Sequence, residues 1–303
     1  MEPLEYYILN VFSNSDIHGG NQLAVIPNAA NLTDQQMQLI TKEFNFSESS
    51  FIIEQSSTEA KVRYFTPQKE IEYAGHPTIG TLYIIEMLYR KSNPARETFN
   101  LHLKGGSITG LFPRSSESSD LGIVEFEQKL AKFHEVFDDK ELILKLLNLE
   151  KIDLLENHPF EIISVTSMRF LFVMVKSPET LTKITINAAR LSQGVFKENN
   201  INVCVISLGG LDGGDFRMRF FVPLYGINED PATGGIQSSV GLYLNRCGFL
   251  KNNIVNICII EQGYEMGRPS KIYNGFEIRD GKLIRVITGG NCYVFSRGNI
   301  FLP

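Results

Sequence analysis

The sequence predicts an α+β protein of two similar domains, each a β-sheet wrapped round one buried helix, and three observations carry that prediction. Most of the chain reads as short strands rich in β-branched and aromatic residues and bounded by turn residues. Two helical runs, Ile79–Tyr89 and Ile236–Leu244, carry little charge and no strong polar face; a helix apolar nearly all round is surrounded by protein. Finally, one device is written twice. Arg63-Tyr-Phe-Thr-Pro67 leads through a short loop to Gly75-His-Pro-Thr-Ile-Gly80, and Arg219-Phe-Phe-Val-Pro223 leads to Asp230-Pro-Ala-Thr-Gly-Gly235. Arg63 and Arg219 lie 156 positions apart (219 − 63), as do Pro67 and Pro223 (223 − 67). Thr78 and Thr233 differ by 155 (233 − 78), so one residue has dropped out of the second loop. A repeat that long is no solenoid period and indicates two like domains facing each other, with a site between them.

In chain order, the first-half strands are Tyr6–Phe12, Leu23–Ile26, Phe51–Ile53, Lys61–Phe65 and Gly122–Phe126. The second half repeats the style in Glu161–Val165, Phe170–Val175, Asn202–Ile206 and Phe216–Phe221. A helix over Asn31–Phe44 has Thr33 as its cap and apolar spacing at Met37, Ile40 and Phe44. Asp138–Leu147 and Asn187–Lys197 read as helices too. The polar stretch Pro113–Asp120 separates the domains, giving 1–118 plus 289–303 as one and 119–288 as the other, with the strand-like tail Gly289–Ser296 returning to the first. Two domains fit 303 residues.

Composition excludes several classes. A net charge of −5 argues against a nucleic-acid surface, which shows a basic stripe. No run of about twenty apolar residues occurs, so no helical membrane span is expected. The N-terminus, Met1-Glu-Pro-Leu-Glu5, carries acids where a signal peptide needs positive charge. The expected location is the cytoplasm. Cys204, Cys247, Cys258 and Cys292 form no Cys-x-x-Cys pair and read as reduced core thiols, with no zinc.

Three ionisable residues stand in unusual settings. Glu48 lies in Phe44-Asn-Phe-Ser-Glu-Ser-Ser-Phe51, where aromatics alternate with small polar residues after a helix. A carboxyl among buried aromatics suits an acid/base that takes and returns a proton; the plainer reading is a cap or an edge-strand residue. His76 opens the first buried helix, just before Pro77, and either faces a cleft or makes a local loop contact. Asp230, before Pro231, repeats that geometry and would also serve as a helix cap. Around them, Gly75 and Thr78, and Ala232, Thr233, Gly234 and Gly235, offer helix-start N–H groups to an anion. A metal held by Glu48, His76 and Asp230 is disfavoured, because helix-start amides favour an anion over a cation. No Gly-x-Ser-x-Gly elbow occurs. Gly209-Gly-Leu-Asp-Gly-Gly214 lacks the Lys-Ser/Thr of a phosphate loop and turns a hairpin.

These motifs together resemble the PhzF-like phenazine biosynthesis protein family. The resemblance rests on Gly20-Asn21 with Leu23-Ala-Val25, Ser47-Glu-Ser-Ser-Phe51, Tyr64-Phe-Thr-Pro67, Glu72-Tyr-Ala-Gly-His-Pro-Thr78, Asn228-Glu-Asp-Pro-Ala-Thr-Gly234 and Gln262-Gly-Tyr-Glu-Met-Gly-Arg-Pro-Ser270. It implies two domains of diaminopimelate epimerase-like fold, with Glu48 as general acid/base and His76 and Asp230 as its polar partners. Epimerases of that superfamily use a cysteine at each helix start. Here those loops carry Gly75-His76 and Asp230-Pro231, which excludes a two-thiol mechanism. After the second Thr-Gly the family usually has Ser-Ala, whereas this chain has Gly235-Ile236. A hydroxyl expected at the substrate is therefore missing, which counts against turnover of the phenazine-pathway substrate itself.

The function expected is a cofactor-independent isomerase that shifts a proton, and with it a double bond, on a small carboxylate-bearing metabolite. The expected assembly is a homodimer, without nucleic-acid or membrane partners. The rivals are a catalytically silent metabolite-binding protein and, further off, a metal-dependent hydrolase.

Overall fold

The strand-rich pattern gives each of two units the same strand order. A computed structural model describes residues 3–14, 18–89, 97–112, 123–165 and 168–302. The units comprise residues 1–127 with 288–303, and 128–287. The expected separator Pro113–Asp120 lies outside the described residues.

The first unit runs β1 (Leu4–Val11), β2 (Asn21–Ile26), α1 (Asp34–Phe44), β3 (Glu48–Gln55), β4 (Glu59–Phe65), β5 (Glu70–Ile71), α2 (Gly75–Tyr89), β6 (Thr98–Leu103), β7 (Gly106–Leu111) and β8 (Val124–Glu127). Its strands order β1-β2-β3-β4-β6-β7-β8, with β5 a short addition on β4. Among the described residues of this unit, only β2–β3 and β4–β6 are parallel. Parallel neighbours need a crossover, and α1 and α2 lie in those two connections. Thr33 caps α1 through a full capping box with Gln36.

The second unit runs β9 (Lys132–Val136), α3 (Lys140–Leu147), β10 (Glu161–Ser164), β11 (Arg169–Val175), α4 (Pro178–Lys183), α5 (Ala188–Leu191), α6 (Gly194–Glu198), β12 (Ile201–Leu208), β13 (Phe216–Val222), β14 (Ile227–Asp230), α7 (Gln237–Arg246), β15 (Ile254–Gln262), β16 (Ser270–Arg279) and β17 (Lys282–Gly290). The order is β9-β10-β11-β12-β13-β15-β16, with β14 added on β13 and with β11–β12 and β13–β15 parallel. Strand β18 (Cys292–Ile300) returns to the first unit and pairs with β1, as β9 does with β10. The repeat seen as a motif is thus a repeat of strand order.

It extends to side chains. Arg63 Nε donates to Glu70 Oε1 at 2.8 Å, and its guanidinium lies over the Phe65 ring at 5.1 Å. Arg219 Nε donates to Glu229 Oε1 at 2.8 Å and lies over Phe221 at 4.9 Å. Each arginine ties the strand before a buried helix to the short strand that feeds that helix.

Both faces of each sheet are covered, and alternation sorts the side chains. Leu171, Val173 and Val175 of β11 join the core under α3–α6, while Phe170, Phe172 and Met174 join the core around α7. Helix α2 packs on β1, β2, β3, β8 and β18, and α7 on β9, β10 and β16. Each helix crosses its sheet at a glycine. A Cβ on Gly80 would meet Leu23 Cδ2 at 2.4 Å and Val11 Cγ2 at 3.0 Å, and one on Gly241 would meet Phe276 Cδ1 at 2.5 Å. Gly80→Val is therefore expected to lose about 2–3 kcal/mol through overpacking, read by urea denaturation.

Some boundaries differ from expectation. The helix over Asn187–Lys197 is two short pieces, α5 and α6, because Gly194 interrupts the run. Helix α3 starts at Lys140 behind an Asp139 cap. Helix α2 starts at Gly75, ahead of Pro77, which puts His76 inside the first turn. Helix α7 is preceded by a 3-10 turn at Gly234–Ile236. The Gly209–Gly214 run does turn the β12–β13 hairpin, with Leu211, Asp212 and Gly214 N–H groups donating to the buried Glu261 carboxylate.

Candidate active site

Glu48 reaches its place through a tight helix-to-strand link. Helix α1 ends at Phe44, and Asn45 adopts a left-handed conformation, φ 51°, that lets the chain reverse. Three residues later Glu48 opens β3, opposite Leu23 of parallel β2. Alternation puts Glu48 on the same face as Ser50, whose hydroxyl meets Thr81 of α2 at 2.6 Å. The aromatics flanking Glu48 in sequence go elsewhere: Phe44 and Phe46 stack on each other and join the core beneath α1.

His76, 5 % exposed, enters from α2 above that face. Its Nε2 lies 3.6 Å from Glu48 Oε2, beyond hydrogen-bond range but within reach of one proton shared through a substrate. Asn21, first residue of β2, donates from Nδ2 to His76 Nδ1 at 3.3 Å, and Ser47 Oγ donates to Asn21 Oδ1 at 3.2 Å. Thr78 lies one step deeper, with its hydroxyl donating to Ala74 O at 2.8 Å and contacting Tyr64 Oη at 3.2 Å. That hydroxyl is committed to the fold, so only main-chain atoms of this turn are candidates for anion binding.

Burial pushes the His76 imidazole down to about 3, against a small upward pull from the Gln22 backbone. Desolvation outweighs that pull, and the ring is neutral at physiological pH. The unfolded chain takes a proton near 6.5 that the folded ring refuses until about 3. Stability therefore falls as pH drops through that window, by up to about 1.4 kcal/mol per unit. His76→Gln is expected to flatten the slope, checked by urea denaturation at a series of pH values.

Asp230, 8 % exposed, ends β14 in the second unit. Its Oδ2 accepts the Thr233 hydroxyl. Gln262 locks the turn: Nε2 donates to Asp230 O at 2.6 Å and to Thr233 Oγ1 at 3.0 Å, and Oε1 accepts Thr233 N–H at 2.9 Å. The Thr233 amide, expected to be available to an anion, is thus taken by Gln262. Gly234 and Gly235 enter the 3-10 turn, with Gly234 O accepting from Gln128 Nε2 at 2.8 Å, and Ala232 is fully buried.

Register reveals the repeat counterpart of Glu48. Tyr64 pairs with Ser50, and its counterpart Phe220 (220 − 64 = 156) pairs with Cys204. Two residues before Ser50 is Glu48, and two before Cys204 is Asn202. An acid therefore occupies this position in only one of the two repeats. Among the described residues, no group of three or more His, Cys, Asp or Glu could hold a metal ion. All four cysteines are free thiols, raised above their ordinary range by burial.

Residues 9–298 match the family model described as PhzC-PhzF, phenazine biosynthesis-like protein. The chain belongs to the PhzC-PhzF family. An uncharacterized isomerase of Clostridium acetobutylicum is 33 % identical over 295 residues, covering 93 % of each chain. A trans-2,3-dihydro-3-hydroxyanthranilate isomerase of Pseudomonas fluorescens is 31 % identical over 305 residues, covering 98 % of this chain and 99 % of its own. These PhzC-PhzF relatives are isomerases, and the chain is an enzyme of that class. A PhzF-family phenazine biosynthesis protein of Bacillus anthracis superposes with a TM-score of 0.87 at 21 % identity over 100 % of both chains. A hydroxyproline epimerase of Agrobacterium vitis superposes with a TM-score of 0.62 at 11 % identity, covering 98 % of this chain and 92 % of its own. The PhzC-PhzF fold here is thus the α+β diaminopimelate epimerase-like fold. No helix among the described residues is long and apolar enough to cross a membrane.

Sequence reasoning missed Asn21, Ser47 and Gln262 as site residues. All three lie within the motifs that carry the family resemblance, and that was the available signal.

Proposed function

We propose that this protein is a cofactor-independent isomerase that relocates a proton, and with it a double bond, on a small carboxylate-bearing metabolite. Glu48 removes a proton from carbon and returns it on the same face at another carbon of the conjugated system. The electron pair released at the first carbon forms the new double bond, while the old one takes up the returning proton, so the substrate's formula is unchanged. The observation that carries this reading is the buried pairing of Glu48 with a neutral His76 at 3.6 Å, combined with Asn202 at the repeat-equivalent position. A racemase working from two faces needs two acid/base groups. One carboxyl, with an amide at its repeat-equivalent position, suits a single shuttling base.

His76 and Asp230 serve as polar partners that position the substrate and assist transfer. The main-chain N–H groups that open α2 at Gly75 receive the substrate carboxylate, where a helix start favours negative charge. We place the enzyme in the cytoplasm as a homodimer. The substrate named for the Pseudomonas fluorescens relative is the first to try. Gly235, where the resemblance implies a serine, favours a second reading in which that substrate binds without turnover. Incubation of candidate carboxylates in heavy water separates the two. An isomerase introduces deuterium at carbon, seen as a mass increase; a ligand that binds but never exchanges sinks the catalytic reading.

A further inference from the structure

We infer that Asn21 is a positioning residue that sets the tautomer of His76, keeping the ring proton on Nε2, the nitrogen facing Glu48. This rests on the proposed reading of Glu48 and His76 as the proton-handling pair. The Asn21 carboxamide can meet a histidine nitrogen with either end: its oxygen would hold an N–H, and its NH₂ would serve a bare nitrogen. The contact with Ser47 accompanies the second of these. The Ser47 hydroxyl donates to Asn21 Oδ1 at 3.2 Å, which leaves Nδ2 as the end presented to His76 Nδ1 at 3.3 Å. A nitrogen that accepts is unprotonated, so a neutral ring must carry its one proton on Nε2.

The consequence is mechanistic. Nε2 lies 3.6 Å from Glu48 Oε2 and makes no hydrogen bond of its own. A buried N–H without a partner is costly to maintain. It is therefore positioned to donate to the group that enters beside Glu48: a substrate oxygen, or charge developing as the carbon proton leaves. With the opposite tautomer, Nε2 would present a lone pair to an oxygen bearing negative charge, and the pair would repel. Asn21 is 3 % exposed at the start of β2 and Ser47 sits one residue before Glu48, so the elements that deliver the base also orient its partner. The competing arrangement gives the Nδ1 proton to the Gln22 backbone carbonyl or to a turned Asn21.

The tautomer is read without substrate, by long-range proton–nitrogen NMR on the full-length protein labelled with nitrogen-15 histidine. The His76 signal is identified by its loss in His76→Gln. The expected wild-type pattern is protonated Nε2 and bare Nδ1. Asn21→Asp replaces the donor by an acceptor and is expected to shift the balance at least about tenfold toward the Nδ1–H form, because a carboxylate binds an N–H more strongly than an amide does. Ser47→Ala, which lets the carboxamide turn, is expected to give a mixture. A wild-type Nδ1–H pattern overturns the assignment, as does an unchanged tautomer in a folded Asn21→Asp. Should Asn21→Asp fail to fold, the wild-type spectrum alone decides. Failure of turnover in heavy water leaves this measurement untouched, so the two readings fail separately.

Discussion

Glu48→Gln is expected to stop exchange of substrate carbon-bound hydrogen with solvent, lowering turnover by about 10²–10⁴-fold while fold and ligand affinity are retained. Glutamine keeps the size of the side chain and its ability to hydrogen-bond but cannot accept the proton, so the substitution isolates basicity from shape. At the head of β3 the side chain is 18 % exposed, leaving room for the amide without repacking. His76→Ala and Asp230→Ala are expected to weaken binding together with turnover, since their proposed part includes positioning. Mass spectrometry of substrate recovered from heavy water, beside a calorimetric affinity, reads both quantities. Wild-type exchange in Glu48→Gln would remove the general-base assignment and leave His76 as the leading candidate.

The second large effect is structural and is expected at Gly263. This residue follows Gln262 and has φ +82°, and a Cβ there would lie 2.3 Å from Arg268 O and 2.5 Å from Pro231 O. Both neighbours are backbone atoms that no rotamer change can move aside. Gly263→Ala is expected to cost on the order of 4 kcal/mol, above the roughly 1–3 kcal/mol of a strained backbone conformation alone. Gly267 is the control, at φ +66° with nothing within 4 Å of an added methyl. Gly267→Ala is expected to cost only about 1–2 kcal/mol. Urea denaturation of the two variants checks the difference. Equal losses would show that the crowding at Gly263 relaxes freely. Because Gln262 holds Thr233 and the Asp230 carbonyl, Gly263→Ala is also expected to impair function beyond what its stability explains.

Several features of this protein were legible in the residues themselves because local rules govern them. The unbroken apolar run Phe170–Val175 marks a strand, and β11 lies there with both faces buried. The apolar run from Ile79 announces a helix with protein on all sides, and the α2 residues from Gly75 to Leu82 are buried. Thr33 marks the start of α1. The spacing of Arg63 and Arg219 held through to matched ion pairs with Glu70 and Glu229. The Asn187–Lys197 run misled because a helical pattern spread over so few apolar contacts does not survive a central glycine.

Motif residues alone named Glu48, His76 and Asp230 as candidates, since residue type and local setting are properties of the chain. Only the tertiary structure decided what surrounds them. Glu48 and His76 are 28 positions apart (76 − 48) and meet because α2 is the crossover that lies over the sheet face bearing β3. Asn21 reaches His76 across 55 positions, Gln262 reaches Thr233 across 29, and no local periodicity encodes either contact. Burial, which makes His76 neutral, is likewise a property of the packed sheet and helix. That Glu48 has an amide for its counterpart follows from strand register alone, because hydrogen bonding between strands distant in sequence is what makes Asn202 its equivalent.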